Sequence, residues 1–168
     1  MKGMIREVAP LDQLWVVAEV LYAIILGSFI GAERRKADKP AGTRTHALVA
    51  GAAALVTAIS AAAVEAAGIG DPTRGLHAVI TGIGFLGAGA IMTPNGGNGS
   101  LTGLTTAASV FFTAAIGGAV ASGFALTATI ATVSAYVVLR VFGRRRYLRE
   151  HPQDDQLGKS PRDVPPPH

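Results

Sequence analysis

Five apolar stretches constrain this chain more than any other feature: Leu14–Ala32, His46–Val64, Gly75–Met92, Leu104–Val120 and Phe124–Phe142. Each is 17 to 19 residues long and nearly free of charge, close to the roughly 20 residues needed to cross a ~30 Å hydrocarbon core. None carries the polar face of a soluble helix. Backbone polar groups in lipid must pair within their own segment, so helices are the expected form. The sequence therefore predicts an all-α integral membrane bundle of about five transmembrane helices, with residues 1–13 before it and a basic, then Pro-rich, disordered tail over 143–168.

Composition supports this where it bears on packing. Aromatic residues make up 6% of the 168 residues, while glycine occurs 21 times. A water-soluble core of this size would want more large side chains to bury. The net charge of +4 could suggest nucleic acid. The basic residues instead cluster at Arg34–Arg44 and Arg140–Arg149, each beside an apolar stretch, with no basic face along a helix. No nucleic-acid partner is expected; the bilayer is. The chain has no cysteine, which excludes disulfides and thiol chemistry.

Orientation follows from the positive-inside rule. Two basic residues precede the first stretch, five lie between the first and second, one lies before the third, and seven follow from Arg140 onward. Five spans with the N-terminus outside and the C-terminus inside put most of them on the cytoplasmic side. The first stretch carries Glu19 and lacks a small-x-small exit, so it reads as a retained anchor. Only Ala121-Ser122-Gly123 separates the fourth stretch from the fifth, which leaves a re-entrant fourth segment open. Thr43 or Thr45 can cap the second helix, and Asp71-Pro72 reads as a cap followed by a first-turn proline.

Several residues are candidates for chemistry. Ala23, Gly27 and Gly31 form a small-residue ridge at four-residue spacing, and Glu19 lies one turn earlier. An ionisable group in a span is a functional hypothesis by default, although Glu19 is also near enough to the outer end to reach headgroup water. Gly82, Gly84, Gly87 and Gly89 give the third stretch an unusual burden, roughly 3–4 kcal/mol of helix propensity relative to alanine. Either neighbours clasp that helix on several sides, or it is broken and lines a cavity. Thr102, Thr106, Ser109 and Thr113 share one face of the fourth stretch, with Thr105 beside them. Such hydroxyls either bond their own backbone or line a polar pathway. Glu33 ends the first helix, where the helix dipole disfavours a carboxylate, so it needs a partner. Arg44 and the starts of the second and fourth helices share its side of the membrane. The sequence predicts a Glu33–Arg44 pair within a node joining helices one, two and four.

Magnesium prefers octahedral oxygen ligands, usually one or two carboxylates plus waters. The acidic residues in or bordering the spans are Glu19, Glu33, Glu65 and Asp71, with Glu33 on the opposite side from the other three. No dedicated divalent-cation pathway within one protomer is visible. No nucleophile–base pair, metal-ligating histidine pair or phosphate loop is visible either, so catalysis is not expected.

In order and spacing, Gly27-Ser-Phe-Ile-Gly31-Ala-Glu33-Arg34, Ala41-Gly-Thr-Arg44-Thr-His-Ala-Leu48, Asp71-Pro-Thr-Arg74, Gly82-Ile-Gly-Phe-Leu-Gly-Ala-Gly89 and Gly103-Leu-Thr-Thr-Ala-Ala-Ser109 resemble the MgtC/SapB family of bacterial membrane proteins, over about residues 14–142. The resemblance implies an inner-membrane protein of magnesium transport or homeostasis, with Mg²⁺ as substrate or signal and no resident cofactor. As the alternative it implies a non-transporting regulator that binds another membrane complex such as the ATP synthase; apart from the resemblance, the small-residue ridges leave a homo-oligomer or a membrane protein partner open. Glu33, Arg34, Arg44, Asp71 and Arg74 fall in its motifs. The chain departs from the family pattern at Glu19, Ala78, Thr102 and Phe111. Thr105 stands where virulence-type members carry an asparagine tied to partner regulation. Many members also have a C-terminal domain resembling ACT domains; here a membrane domain alone is expected.

Overall fold

The computed structural model describes residues 10–91 and 103–150, with side chains over 12–91 and 103–142. Five helices follow one another: α1 Pro10–Lys36, α2 Thr43–Ala67, α3 Arg74–Ile91, α4 Leu104–Ala121 and α5 Ala125–Glu150. All five are long and apolar enough to cross a membrane, and the chain is an all-α membrane bundle. Helix α4 is continuous over its 18 residues. Helix α5 runs on to Glu150, past Phe142, so the first residues expected to be tail are helical. Thr102, the loop around Gly96 and the chain from His151 lie outside the described residues.

The arrangement reverses that of a soluble protein. Small side chains fill the interior: Ala23, Ala50, Ala54 and Ala128 are fully buried beside Ile30, Ile116 and Val120. Large apolar side chains point outward, with Trp15 74%, Leu48 71% and Phe85 81% exposed. Lipid tails are as apolar as leucine, so helices gain nothing by burying large side chains and associate instead by close backbone packing. The α1 ridge does this. A Cβ placed on Gly27 would lie 2.5 Å from the His46 carbonyl oxygen, and one on Gly31 would lie 2.6 Å from the Thr43 Cα. From α4, a Cβ on Gly117 would run into the Ala50 carbonyl.

Helix α4 is the hub, with 56% of its span buried against 11% for α3 and for α5. A second small core of Ala53, Ile83, Val110 and Ala114 joins α2, α3 and α4. The periphery is tied by single polar contacts. The Tyr22 hydroxyl and Thr129 Oγ1 share a hydrogen bond (2.6 Å), linking α1 to α5. The Gly75 amide donates to Ser60 Oγ (3.0 Å), linking the start of α3 to α2. Gly103 enters α4 with φ of 88°, in the left-handed region, and packs so closely on the Ala90 carbonyl that a side chain has no room.

Two capping expectations are corrected. Helix α2 starts at Thr43, preceded by Gly42 with no side-chain cap. Helix α3 starts at Arg74, so Pro72 precedes the helix. Asp71 acts across the turn by accepting from the Thr73 amide (2.9 Å) and hydroxyl (2.7 Å).

Candidate functional site

The chemistry-bearing side chains that the fold gathers lie where α1 ends and α2 and α4 begin. Glu33 and Arg34 close α1 and are 8% and 3% exposed. Arg34 Nε donates to Glu33 Oε2 at 2.6 Å. The predicted Glu33–Arg44 pair is therefore corrected: Glu33 is taken by its sequence neighbour, and Arg44 stands exposed. Adjacent helix positions do not ordinarily face one another, which hides this pair from a spacing argument. Burial forces it, because an ionised group excluded from water needs a counter-charge.

Beside this pair lies His46, fully buried. Its Nδ1 is 2.9 Å from the Gly42 carbonyl oxygen, and its Nε2 is 3.1 Å from Ser109 Oγ. Ser109 also donates to the Thr106 carbonyl (2.8 Å), and Thr113 to the Ser109 carbonyl (2.8 Å). The Thr106, Ser109 and Thr113 stripe thus faces inward, at 4%, 5% and 0% exposure, while Thr105 faces outward. The hydroxyls mostly bond their own helix, and only Ser109 reaches across to α2. Sequence reasoning treated His46 as the edge of a span and missed it. The available signal was its register: His46, Ala50, Ala53, Ala54 and Thr57 share the small-residue face that packs inward.

The remaining candidates lie apart from this node. Glu19 is half-buried one turn before Ala23. The glycines of α3 are not clasped by neighbours, and the helix is not broken. A Cβ on Gly82 or Gly84 would meet nothing within 4 Å, and one on Gly87 would only touch Ala107 at 3.7 Å. Gly89 is exposed. Between α3 and α4 lies a cavity of about 290 Å³, lined by apolar groups including Leu76, Val79, Ile83, Phe111 and Ala114. Among the described residues, no three histidine or acidic side chains come together to hold a metal ion.

Asp71 and Arg74 are exposed in and after the α2–α3 turn. The Thr73 hydroxyl, and then the Thr73 amide, hold the Asp71 carboxyl below its usual range. A carboxylate whose folded pKa is depressed stabilises the fold above its unfolded pKa. That contribution fades as the pH falls through the depressed value. Replacing Thr73 by valine removes the larger cause and keeps the amide. The Asp71 titration midpoint, read by carboxyl carbon NMR, is expected to rise toward the ordinary carboxylate value without reaching it.

A sequence profile of the MgtC family matches residues 20–147. An uncharacterized protein of Haemophilus influenzae is 41% identical over 77% of this chain and 56% of its own length. YhiD of Escherichia coli K12, named a candidate magnesium transporter, is 37% identical over 76% and 60%. MgtC of Salmonella typhimurium is 39% identical over 77% and 54%. The chain thus spans little more than half the length of these relatives. No solved structure matches it. The profile covers all of α2, α3 and α4, most of α1 and α5 and every residue of the buried node, and the chain belongs to the MgtC family.

Proposed function

We propose that this chain is a multi-pass inner-membrane protein of magnesium homeostasis that works by binding another membrane protein complex, with its N-terminus outside and its C-terminus in the cytoplasm. Magnesium enters through the relatives, one of which is named for its transport. The observation that carries the mode of action is the chemistry of the buried node. Its one carboxylate is already neutralised by Arg34, and its other polar groups are an imidazole and hydroxyls. Mg²⁺ sheds water reluctantly and is held through carboxylates and waters, which this set does not offer. The backbone of α3 at Gly82 and Gly84 is open to close approach by another helix, the kind of surface on which membrane helices associate. The reading involves no covalent catalysis and no resident cofactor. The basic loop after α1 and the basic end of α5 support the orientation.

The test is flux. In proteoliposomes carrying a Mg²⁺ indicator, an imposed gradient is expected to give no protein-dependent influx. Solubilisation from cells is expected to bring down a stoichiometric membrane complex. Saturable Mg²⁺ entry that depends on the protein would overturn the reading in favour of transport.

A further inference from the structure

The cavity between α3 and α4 runs inward from the membrane boundary where α3 begins and α4 ends. Leu76, Ser122 and Phe124 line it at that boundary, and Ile83, Phe111 and Ala114 line its deep end. From Leu76 to Ile83 its length is about 10 Å, at 1.5 Å rise per residue. Over that length 290 Å³ leaves a cross-section of about 30 Å². A helix with its side chains is about 10 Å across and does not enter such a slot, whereas a polymethylene chain does. Water does not suit it either. The lining is apolar except for Ser122, whose hydroxyl donates to the Gly118 carbonyl (2.8 Å), and apolar walls hold no water.

Behind the slot lies a buried hydroxyl without a partner. Thr81, Thr113, Thr129 and Thr132 donate to carbonyls of their own helices. Thr57 Oγ1, in a residue 4% exposed, has no hydrogen bond among the described residues. A Cβ on Gly118 would lie 2.7 Å from Leu76 Cδ1 and 3.7 Å from Thr57 Oγ1. The hydroxyl therefore sits just behind two lining residues, Gly118 and the half-buried Leu76. Ser60, on the next turn of α2, accepts the Gly75 amide, so Thr57 lies about one helical turn inward of the start of α3.

This end of the bundle carries both signs of charge. Arg74 and His77 stand exposed at the start of α3, with Asp71 in the turn before it and Glu65 on the last turn of α2. Both Thr73 contacts to Asp71 go to Oδ1, which leaves Oδ2 for another donor. Arg74 makes no ion pair among the described residues. We propose that the slot binds one phospholipid with an ethanolamine head, its acyl chain between α3 and α4, its phosphate on Arg74 and His77, its ammonium on Asp71. A purely anionic head would meet the carboxylates of Asp71 and Glu65 with one guanidinium to hold it. The ethanolamine head brings a cation for the carboxylates as well. An ester carbonyl, a few bonds inward of the phosphate, reaches the depth of Thr57 and accepts its hydroxyl hydrogen once Leu76 turns aside. The chain then fills the gap between the hub α4 and α3, of which only 11% is buried by the protein itself.

The experiment counts lipids on the full chain in detergent by native mass spectrometry, with phosphatidylethanolamine or phosphatidylglycerol added back. One phosphatidylethanolamine per protomer is expected to survive detergent exchange and to bind about tenfold more tightly than phosphatidylglycerol. Ala115→Phe fills the slot from its exposed wall and should abolish retention of both lipids. If that variant does not fold, Ala115→Leu must weaken both. Arg74→Gln removes the phosphate contact and should weaken both lipids about tenfold. Asp71→Asn should weaken the ethanolamine lipid alone and erase the preference. Thr57→Val keeps the side-chain shape and should weaken both about fivefold with the preference intact. A chain that retains no phospholipid would overturn the proposal, as would equal affinity for the two heads or retention indifferent to residue 115.

Discussion

Glu33→Gln is expected to destabilise the bundle by about 3–5 kcal/mol, because it leaves the Arg34 guanidinium buried without its counter-charge. Arg34 is 3% exposed and its Nε hydrogen bond goes to Glu33, so water can make up little of the loss. Thermal unfolding in detergent micelles, followed by circular dichroism, would register it. Arg44→Ala, at an exposed position, should stay within about 0.5 kcal/mol of the parent. The double variant Glu33→Gln with Arg34→Met removes both charges and should recover most of the loss, since replacing a whole buried pair is often close to neutral. Equal costs for the Glu33 and Arg44 variants would mean that Glu33 has a different partner.

The second large effect sets one substitution against itself at two places. Gly27→Ala puts a methyl 2.5 Å from the His46 carbonyl oxygen and 2.8 Å from the Ala50 Cβ. Neither can swing aside as a flexible side chain would, so α1 and α2 must separate along the seam. Overpacking of this kind costs about 1–3 kcal/mol, and separation of a whole seam belongs at the upper end. The gain in helix propensity, about 1 kcal/mol, does not offset it. Gly82→Ala makes the same chemical change where nothing lies within 4 Å. Only the propensity term remains, and the protomer should be slightly more stable. Paired melting curves of the two variants check the sign. A Gly82→Ala variant that loses its membrane partner while the bundle melts higher would locate that partner on α3.

These expectations show how legibility divides. The spans, their order and the Ala23–Gly27–Gly31 ridge could be read from the chain, because hydropathy and small-residue spacing are local properties. The node was half legible. Its position followed from topology, since the end of α1 and the starts of α2 and α4 had to share one side. Its membership did not. Arg44 was chosen because it lay on the right side, but burial is a tertiary property, and the structure buries Arg34 and exposes Arg44. His46 escaped for the same reason. A histidine at the edge of an apolar stretch has no visible partner until α4 is laid against α2 and Ser109, 63 residues away, meets its ring.

The glycines of α3 mark the opposite limit. Their cost in helix propensity is written in the sequence, but whether anything approaches them is not. Tertiary packing leaves Gly82 and Gly84 open within the protomer. By itself the sequence determined that five helices cross a membrane, because apolar length against bilayer thickness needs no partner to evaluate. Only the tertiary structure decided which charges pair, which histidine is buried and which glycines are used. Each of those depends on how closely two helices approach, and side-chain contacts between segments distant in sequence set that distance.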